Sequence, residues 1–316
     1  MKYKEFLTCI ESKVKESTED GCKVAINHVI KNNGCELDGL VIMHEGQFIA
    51  PTIYINDYYH QYLSGKDIDD VVSDIMARYT EGLDNMCFDE NDIGDFSRYE
   101  SIRDKVVYRL VNYEKNKKLL EDVPHIKIMD LAVIYYCYYG TKNGTSGYAL
   151  IKNSNTAMWG IGNETLHKDA VNNTPILLES VILGMGEVLR KMMEGMMTYE
   201  ECKDDARQLK EFLDDYDAVY EDEMYVLTNK TMLNGASTMM YYGVLDSIAD
   251  KIGHDLYILP SSIHELILVP VKSGYKADEL KKMVCQVNSD EVSDNEILSD
   301  SVYCYSRKDR QIHLVS

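Results

Sequence analysis

The chain has 316 residues, a formal net charge of −20, 45% hydrophobic residues and 27% charged residues. That length supports two domains or one large one, and it buries enough apolar surface to fold without disulfides or metals. The acidic excess argues against nonspecific nucleic-acid binding and against attachment to an anionic membrane, since both need a basic footprint.

Residues 3–17 place Phe6, Leu7, Ile10 and Val14 at helical spacing, and Gly21 ends that helix. Lys23–Lys31 and Leu37–His44 read as strands joined through Asn32-Asn33-Gly34. Gln47–Ile55 reads as a third strand, interrupted by Pro51. Asn56-Asp57 then opens a short helix carrying Tyr58, Tyr59 and Tyr62. Asp67 caps the next helix, whose stripe is Ile68, Val71, Val72, Ile75 and Tyr79. Residues 1–83 therefore form a helix, three-strand, two-helix unit, and the polar stretch 84–95 is a long loop.

A middle α+β unit is expected over 84–198. It holds a strand at Lys105–Asn112, a short helix at Tyr113–Glu121 and one long strand from Ile126 to Tyr139. An Asn143-Gly144 turn follows, with a return strand at Gly147–Lys152 and helices after Asn153 and from Asn163 to Val171. The stretch 179–197 carries Met185, Met192, Met193, Met196 and Met197, the usage of adaptable core filler. Tyr199–Glu223 holds 11 acidic and 3 basic residues and reads as a solvated helix connecting two units, with a docking site for a basic partner as the alternative. The C-terminal unit, 224–316, is expected to run ββαββαββ. Its strands are Met224–Thr228, Ala236–Tyr241, Asp255–Leu259, Leu266–Val271, Ser301–Ser306 and Gln311–Val315, and its helices are Val244–Ile252 and Ala277–Val287. The middle and C-terminal units share an order of strand, Asn-Gly turn, strand and helix at low residue identity. The fold class is thus α+β, with mixed or antiparallel sheets, hairpins and packed helices in two to three units.

Tyrosine dominates the aromatics, 24 against 5 Phe and 1 Trp, which suits half-buried sheet faces. The 8 cysteines form no CxxC pair and no zinc spacing, the usage of reduced thiols in a cytosolic protein. The N-terminus lacks a signal-peptide apolar region, and the longest apolar run, Ile128–Tyr139, contains Asp130. A cytoplasmic protein without membrane segments, cofactor or metal is the expectation.

The common phosphate and nucleophile motifs are missing. Gly184-Met185-Gly186 has no third glycine and follows no evident strand, and no Walker lysine, Gly-x-Ser-x-Gly elbow or HExxH is present. Leu259–Leu266 places Ser261, Ser262, His264 and Glu265 between two apolar strands, a make-up suited to binding an anion, holding a metal or acid–base work. Pro-Ser-Ser is equally good turn chemistry, and a strand beginning at Ile263 would send His264 and Glu265 to opposite faces. Asn56, Asp57 and Tyr59 form a second candidate, with helix capping as the plain reading of the polar pair. Asp130 is a third, either a site carboxylate or the marker of a strand's start or solvent face.

The stretches Asn33–Leu40, Pro51–Tyr59, Arg109–Asn116, Met224–Asn229 and Leu259–Glu265 resemble an uncharacterised bacterial family, a domain of unknown function of about this length. A fainter similarity joins parts of the chain to a second such family. The resemblance implies a bacterial cytoplasmic protein and supplies no catalytic residues. The resulting expectation is a non-enzymatic binding or adaptor protein with a protein or small-molecule partner. The alternative is an enzyme, such as a hydrolase, built around Ser261–Glu265.

Overall fold

The computed structural model describes residues 1–19, 21–44, 50–84, 95–142, 145–196 and 224–315. The acidic connector expected at 199–223, most of the 84–95 loop and the Asn143-Gly144 turn lie outside the described residues. Three antiparallel sheets with helices packed against them make an α+β fold. Among the described residues, no helix is long and apolar enough to cross a membrane.

The N-terminal layer follows from its periodicities. Helix α1 (Tyr3–Ser17) buries Phe6, Ile10 and Val14 completely, each one turn beyond the last. They pack on a sheet of β1 (Lys23–Ile30), β2 (Glu36–Met43) and β3 (Thr52–Tyr54), paired in that order. Helices α2 (Asn56–Leu63) and α3 (Ile68–Asp84) complete the layer, with Val71, Ile75 and Tyr79 facing inward. The third strand is only three residues long, since Pro51 has no N–H to donate to a ladder. Residues 45–49 of the expected strand lie outside the description.

The middle layer opens with α4 (Tyr99–Ile102) and contains β4 (Val106–Asn112), α5 (Lys117–Leu120), β5 (His125–Ile128), β6 (Leu131–Lys142) and β7 (Thr145–Leu150). The single long strand expected over 126–139 is a hairpin. Ile128 pairs with Leu131 across a two-residue turn, and Met129 takes a left-handed φ of 55°. Continuous apolar character hid the turn, because neither Met nor a lone Asp carries the usual glycine signal. Strand β4 runs along one edge of β6, while β5 and β7 share the other edge end to end. Helices α6 (Asn153–Trp159) and α7 (Asn163–Leu177) follow. Helix α7 outlasts its predicted end and contains Pro175. The preceding Thr174 is fully buried, donates to Ala170 O at 2.6 Å and accepts Tyr108 N at 3.0 Å, which pins the helix to β4.

The third sheet has the order β13-β12-β10-β11-β9-β8. Its strands are β8 (Ser180–Gly184), β9 (Tyr225–Asn229), β10 (Leu256–Leu259), β11 (Leu266–Pro270), β12 (Tyr303–Ser306) and β13 (Gln311–Leu314). Helices α8 (Met185–Met196), α9 (Val244–Ile252) and α10 (Ala277–Asp290) belong to the same stretch of chain. Strand β8, unforeseen from the sequence, supplies the sheet's far edge and leads straight into α8. Gly184-Met185-Gly186 therefore does follow a strand, but it still lacks the third glycine.

The expected strand Ala236–Tyr241 is instead a tight helical run over Gly235–Met240. A Cβ on Gly235 would lie 2.1 Å from Thr228 Oγ1 and 2.6 Å from His264 O, so only glycine lets this run settle onto β9. The ββαββαββ order loses its second strand, and the echo between middle and C-terminal units ends there.

The middle and C-terminal elements bury one continuous core. It joins Tyr108, Leu110, Val133 and Tyr135 to Leu245, Ile258, Leu268 and Tyr303. Buried tyrosine hydroxyls need partners, and they find them across this junction. Tyr241 donates to Leu178 O at 2.9 Å, and Tyr108 lies 3.5 Å from Ser237 O. Asp130, in the β5–β6 turn, accepts from Ser299 Oγ at 2.6 Å, Ser301 Oγ at 3.0 Å and Tyr303 Oη at 2.6 Å. This carboxylate both marks a strand's start and latches two sheets together. Asp130→Ala strands three hydroxyls and is expected to cost about 3 kcal/mol in urea denaturation, against about 1 kcal/mol for Tyr303→Phe, which removes one donor. Equal costs for the two variants would overturn the latch.

Candidate functional site

The loop between β10 and β11 is held on both sides by backbone. Leu298 N donates to Ser261 O at 3.1 Å, Ile263 N to Glu296 O at 2.9 Å and Ser299 N to Pro260 O at 3.0 Å. On the other side, Ala236 N donates to Ile263 O at 3.2 Å and Thr228 Oγ1 to His264 O at 2.7 Å. Strand β11 starts only at Leu266, so strand alternation does not separate His264 from Glu265. The structure brings Ser262, His264 and Glu265 together, and it adds Glu296, which the sequence reading had not singled out.

The imidazole of His264 is engaged at both nitrogens. Nδ1 accepts the Asn234 backbone N–H at 3.2 Å, and Nε2 stands 3.5 Å from Glu296 Oε1. Accepting at Nδ1 places the proton of the neutral ring on Nε2, facing the carboxylate. The Ser262 hydroxyl oxygen, nearly buried, accepts His264 N at 3.0 Å. These contacts leave no lone pair on His264 aimed at an incoming substrate, the requirement for a general base. Burial raises the Glu265 carboxyl above its usual range, and nearby Glu296 adds to the rise, while His264 and the Ser262 hydroxyl oppose it.

Asn56, Asp57 and Tyr59 sit in the N-terminal layer, away from this loop's core. Asn56 is the first residue of α2 and does not cap it; its Oδ1 accepts Asp38 N at 2.9 Å, tying the helix start to β2. The capping expectation is corrected on that point. Asp57 is exposed in the first turn, where its charge favours the helix dipole. Tyr59 packs its ring 5.1 Å from Phe6 and 4.9 Å from Tyr3. The two layers meet elsewhere, through Asn33, whose Nδ2 donates to Ile297 O at 2.6 Å and whose backbone N donates to Asn116 Oδ1 at 2.9 Å.

Two further features had no legible motif. One is a groove of about 700 Å³ between the β5–β6 turn, the Gly235–Met240 run and the start of α9. Met129, Met239, Met240, Leu245 and Ile312 line its apolar part, and Asp246 with Arg310 forms its polar end. Arg310 Nη1 bridges Asp246 Oδ1 and Asp250 Oδ2, each at 2.9 Å. Tyr305 donates to Asp246, and burial followed by that carboxylate pushes the Tyr305 hydroxyl up to about 12. Tyr242 stands fully exposed on the rim. The other feature is Arg109, sandwiched 4.1 Å from the Tyr136 ring and 3.8 Å from the Tyr148 ring, with Nε and Nη2 buried and lacking a hydrogen-bond partner. Among the described residues, no three His, Cys, Asp or Glu side chains gather to hold a metal ion.

Residues 3–307 match the model of a family described as "Family of unknown function (DUF5688)". The chain belongs to that family. The match takes in two sheets of the DUF5688 fold and all of the third but its edge strand β13, with the His264 loop and most of the groove lining, ending within the β12–β13 turn. No curated protein and no solved structure matches the chain.

The Glu265 shift has a testable sign. A carboxyl whose folded pKa lies above its unfolded value favours the fold at acid pH, and that contribution is lost as pH rises through the folded value. Glu265→Gln removes the titration. The variant is expected to gain stability relative to the parent as pH climbs from 4 to 8, with the two curves converging in acid. Denaturation midpoints that differ by a constant across that range would refute it.

Proposed function

We propose that this chain is a non-enzymatic binding protein whose groove receives an apolar or aromatic side chain of a protein partner. The observation that carries the reading is the groove itself: three methionines on its wall and a fully exposed tyrosine at its rim. Its volume falls in the range of ligand sites. Methionine reshapes easily around varied apolar occupants, and an exposed tyrosine offers contact area at low entropic cost. The charges at the polar end are matched to one another, which suits an uncharged occupant. The net charge of −20 supports a partner other than nucleic acid or an anionic membrane. The free cysteines among the described residues support a cytoplasmic setting.

An enzymatic reading, hydrolysis at the Ser261–Glu265 loop, draws support from the raised Glu265 carboxyl beside His264. The occupation of both His264 nitrogens supports the binding reading over it.

Panning a displayed peptide library on the full chain tests the proposal. Enriched peptides are expected to share an aromatic or aliphatic anchor and to lose about 30-fold in affinity, roughly 2 kcal/mol, on Tyr242→Ala. A Met240→Asp chain is expected to retain none. Peptides that bind all three chains equally would overturn the groove as the site. Turnover of an ester panel that disappears in His264→Ala, with thermal stability kept, would favour the enzyme instead.

A further inference from the structure

The edge of the N-terminal sheet carries a side-chain chain of a different kind. Cys22 lies just before β1 and His44 just after β2, and the register of those strands, which pairs Lys23 with Met43, brings the two flanking residues side by side. The Cys22 sulfur is 3.3 Å from His44 Nδ1, and His44 Nε2 is 3.2 Å from the hydroxyl of Tyr79 on α3. That hydroxyl in turn lies 3.4 Å from Ile42 O.

One of the two neutral tautomers of His44 turns a ring lone pair toward the thiol. In that tautomer the Tyr79 O–H donates to the Ile42 carbonyl, which leaves its oxygen to accept the His44 Nε2 proton. Nδ1 then carries the lone pair and faces the thiol. Tyr79 is buried and held as a neutral phenol, its pKa raised by burial and then by the neighbouring Cys22. A base oriented by a third group, next to a nucleophile, is the arrangement that activates a thiol. Cys22 and His44 are both half-buried, so the sulfur keeps a path to solvent.

We propose that Cys22 is a nucleophilic thiol, with His44 as its base and Tyr79 as the positioning residue, and that it exchanges with small disulfides. The sulfur attacks one sulfur of the disulfide as its proton passes to His44 Nδ1. The S–S bond of the small molecule breaks, and the departing thiolate takes the proton back from the imidazolium. Cys22 ends as a mixed disulfide and the small molecule is released as one thiol, so the exchange needs no other oxidant. The result is a modification site on the N-terminal layer, at a core separate from the one that borders the groove.

The test uses the full chain with less than one equivalent of an aromatic disulfide, dithiobis(nitrobenzoate), and locates the adduct by peptide mass mapping. Cys285, the exposed cysteine of α10, is the internal reference. Cys22 is expected to react about tenfold faster than Cys285 at neutral pH, despite being less exposed. His44→Gln is expected to slow Cys22 about tenfold or more and to leave Cys285 unchanged, and Tyr79→Phe to slow Cys22 severalfold. A wild-type chain in which Cys285 reacts first overturns the proposal without any variant having to fold. An unchanged Cys22 rate in a folded His44→Gln chain overturns it as well.

Discussion

The architecture depends on one carboxylate. Asp130 sits in a two-residue turn and gathers three hydroxyls from the segment that enters β12. A carboxylate drawn partly out of water needs donors that stay in place, and hydroxyls from a neighbouring sheet meet that need only if the two sheets keep one fixed relation. That relation in turn lets Tyr303, Tyr108 and Tyr241 enter the shared core with their oxygens satisfied. Two sheets that could have been separate bodies thereby share a single interior.

The groove follows from the same junction. Its floor is the β5–β6 turn that Asp130 anchors, and its wall is the Gly235–Met240 run that Gly235 allows to approach β9. The junction is closed at Asp130 and open at Met129. Apolar surface left uncovered at such a seam is costly in isolation, and it supplies the driving force for a partner that covers it. The His264 loop is bonded to the start of the same helical run, and its polar groups go largely to holding backbone. A close cluster of Ser, His and Glu can therefore serve architecture: each group satisfies a neighbour that burial would otherwise leave unpaired.

The N-terminal layer keeps its own core and meets the rest through asparagines and the Glu36–Lys118 ion pair. Asn33, with a φ of 58°, reaches the chain at 297 and Asn116. An asparagine offers donors and an acceptor on a short arm and tolerates the left-handed backbone, so one residue both turns the β1–β2 link and ties it down.

Composition and periodicity determined a good deal by themselves. The helices α1, α3 and α9, the β1–β2 hairpin and the closing β12–β13 hairpin were legible because burial on one face imposes a period that the residues must show. The α+β class followed from the alternation of those patterns. Tertiary structure alone decided the break at Met129-Asp130, the helical run at Gly235–Met240 and the edge strand β8. In each, the local residues permit more than one backbone, and a contact distant in sequence selects between them. The same holds for function-bearing places. The Ser262, His264 and Glu265 loop was visible because its residues are adjacent in sequence, while Glu296, the groove and the Cys22–His44 pair were not. Those depend on strand register and sheet packing, and side-chain chemistry drawn from separate segments leaves no periodic trace in any one of them.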